Sequence, residues 1–156
     1  MDSANIPRAL LSRLAELRLT LLRFERASDA IVRRCDLTPR QYLLLLTLEG
    51  RHEGVASIGT LADELRLAQS TVTELADRSE ARGIVRRTSS RRDGRIVLVR
   101  STEEGRRLLG HAVAELDGER EELRAALDRI AAVLPAGNRW TREASTTAEG
   151  GDRPGR

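Results

Sequence analysis

The side chains able to do acid–base or nucleophilic chemistry are few and scattered. His52, His111 and Cys35 are the whole supply of imidazoles and thiols. No spacing among them gives the nucleophile and base, or the held proton donor, that hydrolysis and group transfer need. The chain has no His-x-x-x-His, no Cys-x-x-Cys and no glycine-rich phosphate loop, so nothing points to an enzyme, a cofactor or a metal site. A lone cysteine also excludes an intramolecular disulfide.

Guanidinium is what the sequence holds in quantity. All 27 basic residues are Arg, so their placement carries the information and their type does not. Nine of them (Arg82, Arg86, Arg87, Arg91, Arg92, Arg95, Arg100, Arg106 and Arg107) stand against only Asp93, Glu103 and Glu104, a local charge of +6. From Glu115 to Asp128 six acids oppose Arg120 and Arg124, and the sign reverses to −4. The overall charge is only +3, so one stretch is suited to face phosphate and the other is not. Aromatic residues make up 2% of the chain, too few to build stacking platforms for unpaired bases. The longest apolar run, Tyr42 to Leu46, falls far short of the ~20 residues of a membrane span, and the amino terminus lacks a signal-like apolar core. The expectation is a cytoplasmic protein with no membrane association.

The elements that must position these arginines are mostly helical. With 156 residues, 40% hydrophobic and 33% charged, the chain suits one compact domain with a helical extension. Pro7 to Arg34 reads as a long helix with Leu10, Leu14, Leu17, Leu21, Phe24 and Ile31 spaced alternately by four and three, interrupted by Ser28. That seam fits either a dimer interface or an ordinary monomer core. Thr38, Pro39 and Gln41 form a capping box that opens a second helix, carried by Tyr42 to Leu46 and Leu48 and expected to stop at Gly50. Arg51 to Ala56 reads as a loop with a short strand.

From an N-cap at Ser57, the residues Ile58, Leu61, Ala62 and Leu65 have helical spacing; Arg66 to Ala68 break it, and Gln69 opens a second period through Val72, Leu75 and Ala76. Two short helices joined by a tight turn are the helix-turn-helix arrangement. The second helix would present Gln69, Ser70, Thr71, Thr73, Glu74 and Arg78 on its outer or leading surface. A plain helical hairpin with solvated polar residues fits equally well up to this point. Gly83 then marks a helix end, and Ile84 to Thr88 and Arg95 to Arg100 read as strands around the turn-rich Ser89 to Gly94. A hairpin with a basic tip directly after a helix-turn-helix is a winged helix, whose arginines can reach the DNA backbone or minor groove. After it, Thr102 caps a long helical stretch whose seam runs through Leu109, Val113, Leu116, Leu123, Leu127, Ile130 and Leu134, broken by Arg120, with a bend or break near Gly118.

Residues 69 to 85, Gln-Ser-Thr-Val-Thr-Glu-Leu-Ala-Asp-Arg-Ser-Glu-Ala-Arg-Gly-Ile-Val, resemble the recognition helix and wing lead-in of the multiple antibiotic resistance regulator (MarR) family. Asp93-Gly94-Arg95 matches that family's Asp-x-Arg wing signature, and Ser101-Thr102-Glu103-Glu104-Gly105 resembles its Leu-Thr-x-x-Gly motif. The likeness spans roughly residues 8 to 134. It implies that Arg95 is the minor-groove arginine and that Asp93 is its orienting carboxylate; Arg91 and Arg92 of the basic hairpin tip are further DNA-facing candidates. It also implies a homodimer on double-stranded DNA with a pseudo-palindromic operator, and a small aromatic or anionic ligand in a crevice lined by Leu17, Leu21, Phe24, Tyr42, Leu45 and Leu46. Three positions depart from the family: Ser79 replaces an apolar Leu, Glu74 stands where relatives are often basic, and Ser101 replaces the motif's Leu. Some similar regulators sense oxidants through a thiol near the first helix; the commoner reading of a lone Cys35 is a small buried apolar residue.

The sequence therefore predicts a mainly α fold with a small β-hairpin wing (α+β), a winged helix-turn-helix flanked by a helical dimerisation region. Its parts are an amino-terminal dimerisation helix (1–36), the winged domain (37–101), one or more carboxy-terminal dimerisation helices (102–134) and a disordered tail (135–156). The functional expectation is a sequence-specific DNA-binding transcriptional regulator, a repressor released by a small molecule. The alternative is a winged-helix protein-interaction module without DNA binding, for which Glu74 and Ser79 argue best.

Overall fold

The computed structural model describes residues 6–90 and 93–131. Its elements are α1 (Arg8–Arg34), α2 (Pro39–His52), β1 (Val55–Ser57), α3 (Ile58–Leu65), α4 (Gln69–Ala81), β2 (Val85–Ser89), β3 (Val97–Ser101), α5 (Glu103–Glu115) and α6 (Asp117–Ala131). They fall into two units, Glu25–Arg120 and the chain ends Met1–Phe24 with Glu121–Arg156.

The larger unit is a winged helix-turn-helix. Apolar on several faces, α2 runs through its centre: Leu44, Leu45 and Leu48 are fully buried, and around them close Leu61 of α3, Val72 and Ala76 of α4, Val99 of β3 and Ala112 of α5. Each such leucine contributes about 1.5–3 kcal/mol by leaving water. The capping box forms as its residue types dictate, with the Gln41 amide donating to Thr38 Oγ1 at 3.2 Å and the Thr38 amide donating to Gln41 Oε1 at 3.0 Å. The helix does not stop at Gly50. It continues to His52, where Glu53 (φ 50°) and Gly54 (φ 84°) make the left-handed exit and the Gly54 amide donates to the Leu48 carbonyl at 2.9 Å. Gly50 is simply a tolerated helical glycine.

The short strand before α3 becomes part of the wing sheet. Strand order is β1-β3-β2, antiparallel throughout, with Val55 opposite Arg100 on one side of β3 and Val85 opposite Ser101 on the other. Gly105 shows why the motif opening α5 needs a glycine: a Cβ there would stand 2.1 Å from the Ile84 carbonyl oxygen. That close approach lets Thr102 donate from its amide to Ile84 O (3.2 Å) and from Oγ1 to Gly83 O (2.7 Å), while Oγ1 accepts from the Gly105 amide (3.1 Å).

The two long seams divide. Ile31 of the first and Leu109 and Leu116 of the last close the core of their own unit, so for these residues the monomer-core reading is the right one. The helical stretch breaks at Leu116, and Gly118 lies in the first turn of α6. Arg120, the polar residue in the seam, donates its guanidinium to the Val113 carbonyl, one of the carbonyls that a helix end leaves without an internal partner. In the smaller unit, Ile130 is buried, whereas Leu11, Leu14, Leu19, Leu21 and Leu22 of α1 are 37–51% exposed. Leu134, Trp140 and the tail predicted for residues 135–156 lie outside the described residues. Among the described residues no helix is long and apolar enough to cross a membrane.

Candidate nucleic-acid interface

The geometry of the helix-turn-helix starts at Ser57, whose Oγ caps α3 by accepting from the Thr60 amide at 3.0 Å. Arg66 turns the chain in the left-handed region (φ 52°), and the Leu67 amide donates to the Ala62 carbonyl at 3.0 Å. The next helix begins without help: Ala68 is the N-cap of α4 and supplies no side-chain hydrogen bond. The leading amides of α4 therefore have no capping acceptor, and such amides, at the positive end of the helix dipole, suit a phosphate oxygen.

Along α4, Val72, Leu75, Ala76 and Ser79 face the core, whereas Gln69, Ser70, Thr73, Glu74 and Arg78 are exposed and Thr71 is half-buried. Every candidate that sequence periodicity placed outward on this helix has surface to offer. One is modified by its local chemistry: Thr73 Oγ1 donates to the Gln69 carbonyl at 2.9 Å, leaving its methyl group and an acceptor lone pair for a partner. Ser79 is fully buried and its Oγ has no hydrogen-bond partner. A buried unsatisfied hydroxyl costs about 1–3 kcal/mol. Ser79→Ala is accordingly expected to raise unfolding free energy by about 1 kcal/mol in a urea melt; an unchanged or lowered midpoint would show that the hydroxyl is satisfied in solution.

The wing is fastened to α4 by a residue that charge counting alone grouped with the phosphate-facing arginines. Arg87 on β2 pairs with Asp77 and, at 2.8 Å, with Glu80, both on α4, while the Arg87 amide donates to the Glu80 carboxylate at 2.8 Å. Its charge is thus spent inside the domain. The hydrogen bonds from the Arg87 amide and guanidinium hold the Glu80 carboxyl below the usual carboxylate range. A carboxyl depressed in the folded state contributes stability above its unfolded pKa and loses it as pH falls through the folded one. Glu80→Gln is expected to flatten the acid limb of the stability-versus-pH curve, read by thermal melts; an identical acid limb would contradict the clamp.

At the hairpin tip Arg95 is exposed and makes no ion pair among the described residues. The Asp93 carboxylate accepts from the backbone amide of Arg95 at 3.0 Å, and the Asp93 carbonyl accepts from the Ile96 amide at 3.0 Å. Asp93 therefore orients the arginine through the turn's backbone. Arg91 and Arg92 lie outside the described residues. A cleft of about 390 Å³ joins the two candidate elements, lined by Ile58 and Gly59 of α3, Gln69 and Thr73 of α4, and Arg95 and Val97 of the wing. The start of α3 was not singled out from sequence, since its apolar spacing signals only core packing.

Ser101, where the motif has Leu, is buried in a polar junction: its hydroxyl donates to Glu49 and sits 3.3 Å from the Arg106 guanidinium. Cys35 is buried, and burial, with Glu115 and Asp36 nearby, pushes its thiol pKa up; a protonated, covered thiol is a poor nucleophile. Among the described residues no group of three His, Cys, Asp or Glu side chains could hold a metal ion. Of the residues expected to line a ligand crevice, Leu17, Leu21 and Phe24 belong to the smaller unit and Tyr42, Leu45 and Leu46 to the larger. Leu45 is completely buried in the core and offers no surface to a ligand.

A family model described as MarR family matches residues 36–96, the stretch that carries the capping box, both helices of the motif and the hairpin up to Arg95 and Ile96. Over residues 36–96 the chain is similar to the MarR family. The chain is 38% identical over 117 residues to the HTH-type transcriptional regulator TtmR of Methylorubrum extorquens, a match covering 70% of this chain and 59% of that protein. The chain thus spans less than two thirds of this relative's length. Among solved structures it is similar to apo wild-type MarR from E. coli (TM-score 0.63, 21% identity, 92% and 96% of the two chains). It is also similar to a cysteine-to-serine mutant of that protein complexed with operator DNA (TM-score 0.59, 20% identity, 88% and 91%). These structures share the winged MarR fold.

Proposed function

We propose that this chain is a MarR-family, sequence-specific transcriptional regulator that binds double-stranded DNA as a homodimer. The observation that carries the reading is the cleft that joins exposed Gln69 and Thr73 of α4 to Arg95 of the wing, which makes no ion pair among the described residues. A recognition helix in the major groove and a wing arginine in the adjacent minor groove need that adjacency. Glu74, exposed on the same helix, accepts from a cytosine amino group in this reading. The reading is tested by letting the full chain select duplexes from a random-sequence library, followed by gel shifts across a salt series. Enrichment of a pseudo-palindrome, with affinity falling steeply as salt rises, is expected. Absence of enrichment would favour the winged-helix interaction module.

Dimerisation is supported by the exposed leucines of α1, which leave apolar surface that a second copy can cover. Leu14→Glu combined with Leu22→Glu, at positions 43% and 46% exposed, should leave the protomer folded and give a monomer by sedimentation. A dimer that persisted would move the interface elsewhere. We also read the chain as a repressor released by a small aromatic or anionic molecule, with Leu17, Leu21, Phe24, Tyr42 and Leu46 as candidate contacts. This rests on the family resemblance, and loss of the gel shift on adding one of a panel of aromatic carboxylates is its test.

A further inference from the structure

On a different face from the wing, a second cleft of about 520 Å³ is lined by Asp29 and Arg33 of α1, Arg40 and Gln41 of α2, and Leu75 and Arg78 of α4. Arg33 is within 3.8 Å of Asp29. Arg40 and Arg78, from two different helices, have no ion-pair or hydrogen-bond partner among the described residues. Other arginines are spent on carboxylates, as Arg87, Arg107 and Arg124 are. The walls of this cleft are held in place. Arg82, at the carboxy-terminal cap of α4, donates to Gln41 Oε1 at 3.0 Å and to the Asp36 carbonyl at 2.6 Å, tying the last turn of α4 to the first turn of α2. The same Gln41 oxygen accepts from the Thr38 amide, so the strut and the helix cap share one carboxamide oxygen of a residue only 3% exposed.

We infer that Arg40 and Arg78 form a second phosphate clamp, taking a backbone phosphodiester of the operator on the flank of the major groove away from the wing. The inference rests on the proposed DNA-binding reading and extends it. A recognition helix lying in a groove has a phosphate backbone on each side. Arg95 serves one flank; two unpaired guanidinia on a braced cleft beside α4 suit the other. Arg82 acts here as a positioning residue, since its own donors are used within the fold.

The test measures the slope of log affinity against log salt, by fluorescence anisotropy, for the full chain and its variants on a duplex the wild type has enriched from a random library. Arg40→Ala is expected to reduce the slope by about one per protomer, and Arg40→Lys to restore it, because a lost phosphate contact means one counterion fewer released. An unchanged slope in Arg40→Ala, with Arg95→Ala lowering it as expected, would overturn the clamp and leave the DNA-binding reading standing. Equal weakening by Arg40→Ala and Arg40→Lys would assign Arg40 a packing role and also overturn the clamp. No selective duplex for the wild type would remove both. Thermal melts of the DNA-free protein in sodium phosphate and sodium chloride at matched ionic strength separate the other source of phosphate. The same response in wild type and Arg40→Ala is expected, and a phosphate stabilisation lost in Arg40→Ala would make this a site for a free anion.

Discussion

Arg95→Ala should weaken binding to a selected duplex by about 1 to 3 kcal/mol while preserving the order of preference among sequences. The side chain is exposed at the hairpin tip, without an ion pair among the described residues, and aimed by a turn in which Asp93 holds the Arg95 amide. It contributes positive charge near the minor-groove potential and the phosphates; it does not read a particular base from the major groove. The salt slope should therefore drop by about one per protomer. Asp93→Ala should act in the same direction but more mildly, because the charge remains and only the turn loosens. Thr71→Ala, on the leading turn of α4, should do the reverse, reordering sequence preferences with little change in slope. Gel shifts on a panel of single-base variants at several salt concentrations read all three. Unchanged affinity and slope in a folded Arg95→Ala protein would mean that the wing does not touch DNA.

Gly105→Ala should destabilise the fold by about 2 to 3 kcal/mol or more. The added carbon would lie 2.1 Å from the Ile84 carbonyl and 3.1 Å from Leu45 Cδ2. The first neighbour is backbone and cannot swing aside, so α5 must move away from the segment leading into β2. That movement strains the Thr102 hydrogen bonds to Ile84 and Gly83 and with them the cap of α5, itself worth about 1 kcal/mol. Urea unfolding followed by circular dichroism measures the loss. A change below about 0.5 kcal/mol, the ordinary range for a surface substitution, would show that the approach of α5 relaxes at little cost.

Local rules made most of the winged domain legible. The capping box at Thr38, the cap at Ser57, the break at Arg66 to Ala68 and the left-handed Gly83 are set by residues within a few positions of each other, and each appears where its chemistry requires. The end of α2 was misread because Gly50 looks like a terminator by type, while the actual exit is made by Glu53 and Gly54 once the Leu48 carbonyl needs a donor. Long-range pairings were invisible for a different reason. Arg87 reads like any other arginine in a basic run, and only the packing of β2 on α4 brings it to Asp77 and Glu80. The strut from Arg82 to Gln41 spans 41 positions, and no periodicity announces it. Heptad spacing, likewise, cannot say which copy covers a seam: Leu109 and Leu116 pack in their own core while Leu14 and Leu21 remain exposed.

Hydroxyl-radical footprinting of the full chain on its selected duplex tests most directly whether α4 and the wing read DNA together. The predicted pattern is a pair of protected minor-groove tracts flanking two half-sites about 10 base pairs apart centre to centre. In Arg95→Ala those tracts should become accessible while the major-groove contacts persist. A shifted complex with uniform cleavage across both minor grooves, or no complex at all, would contradict it.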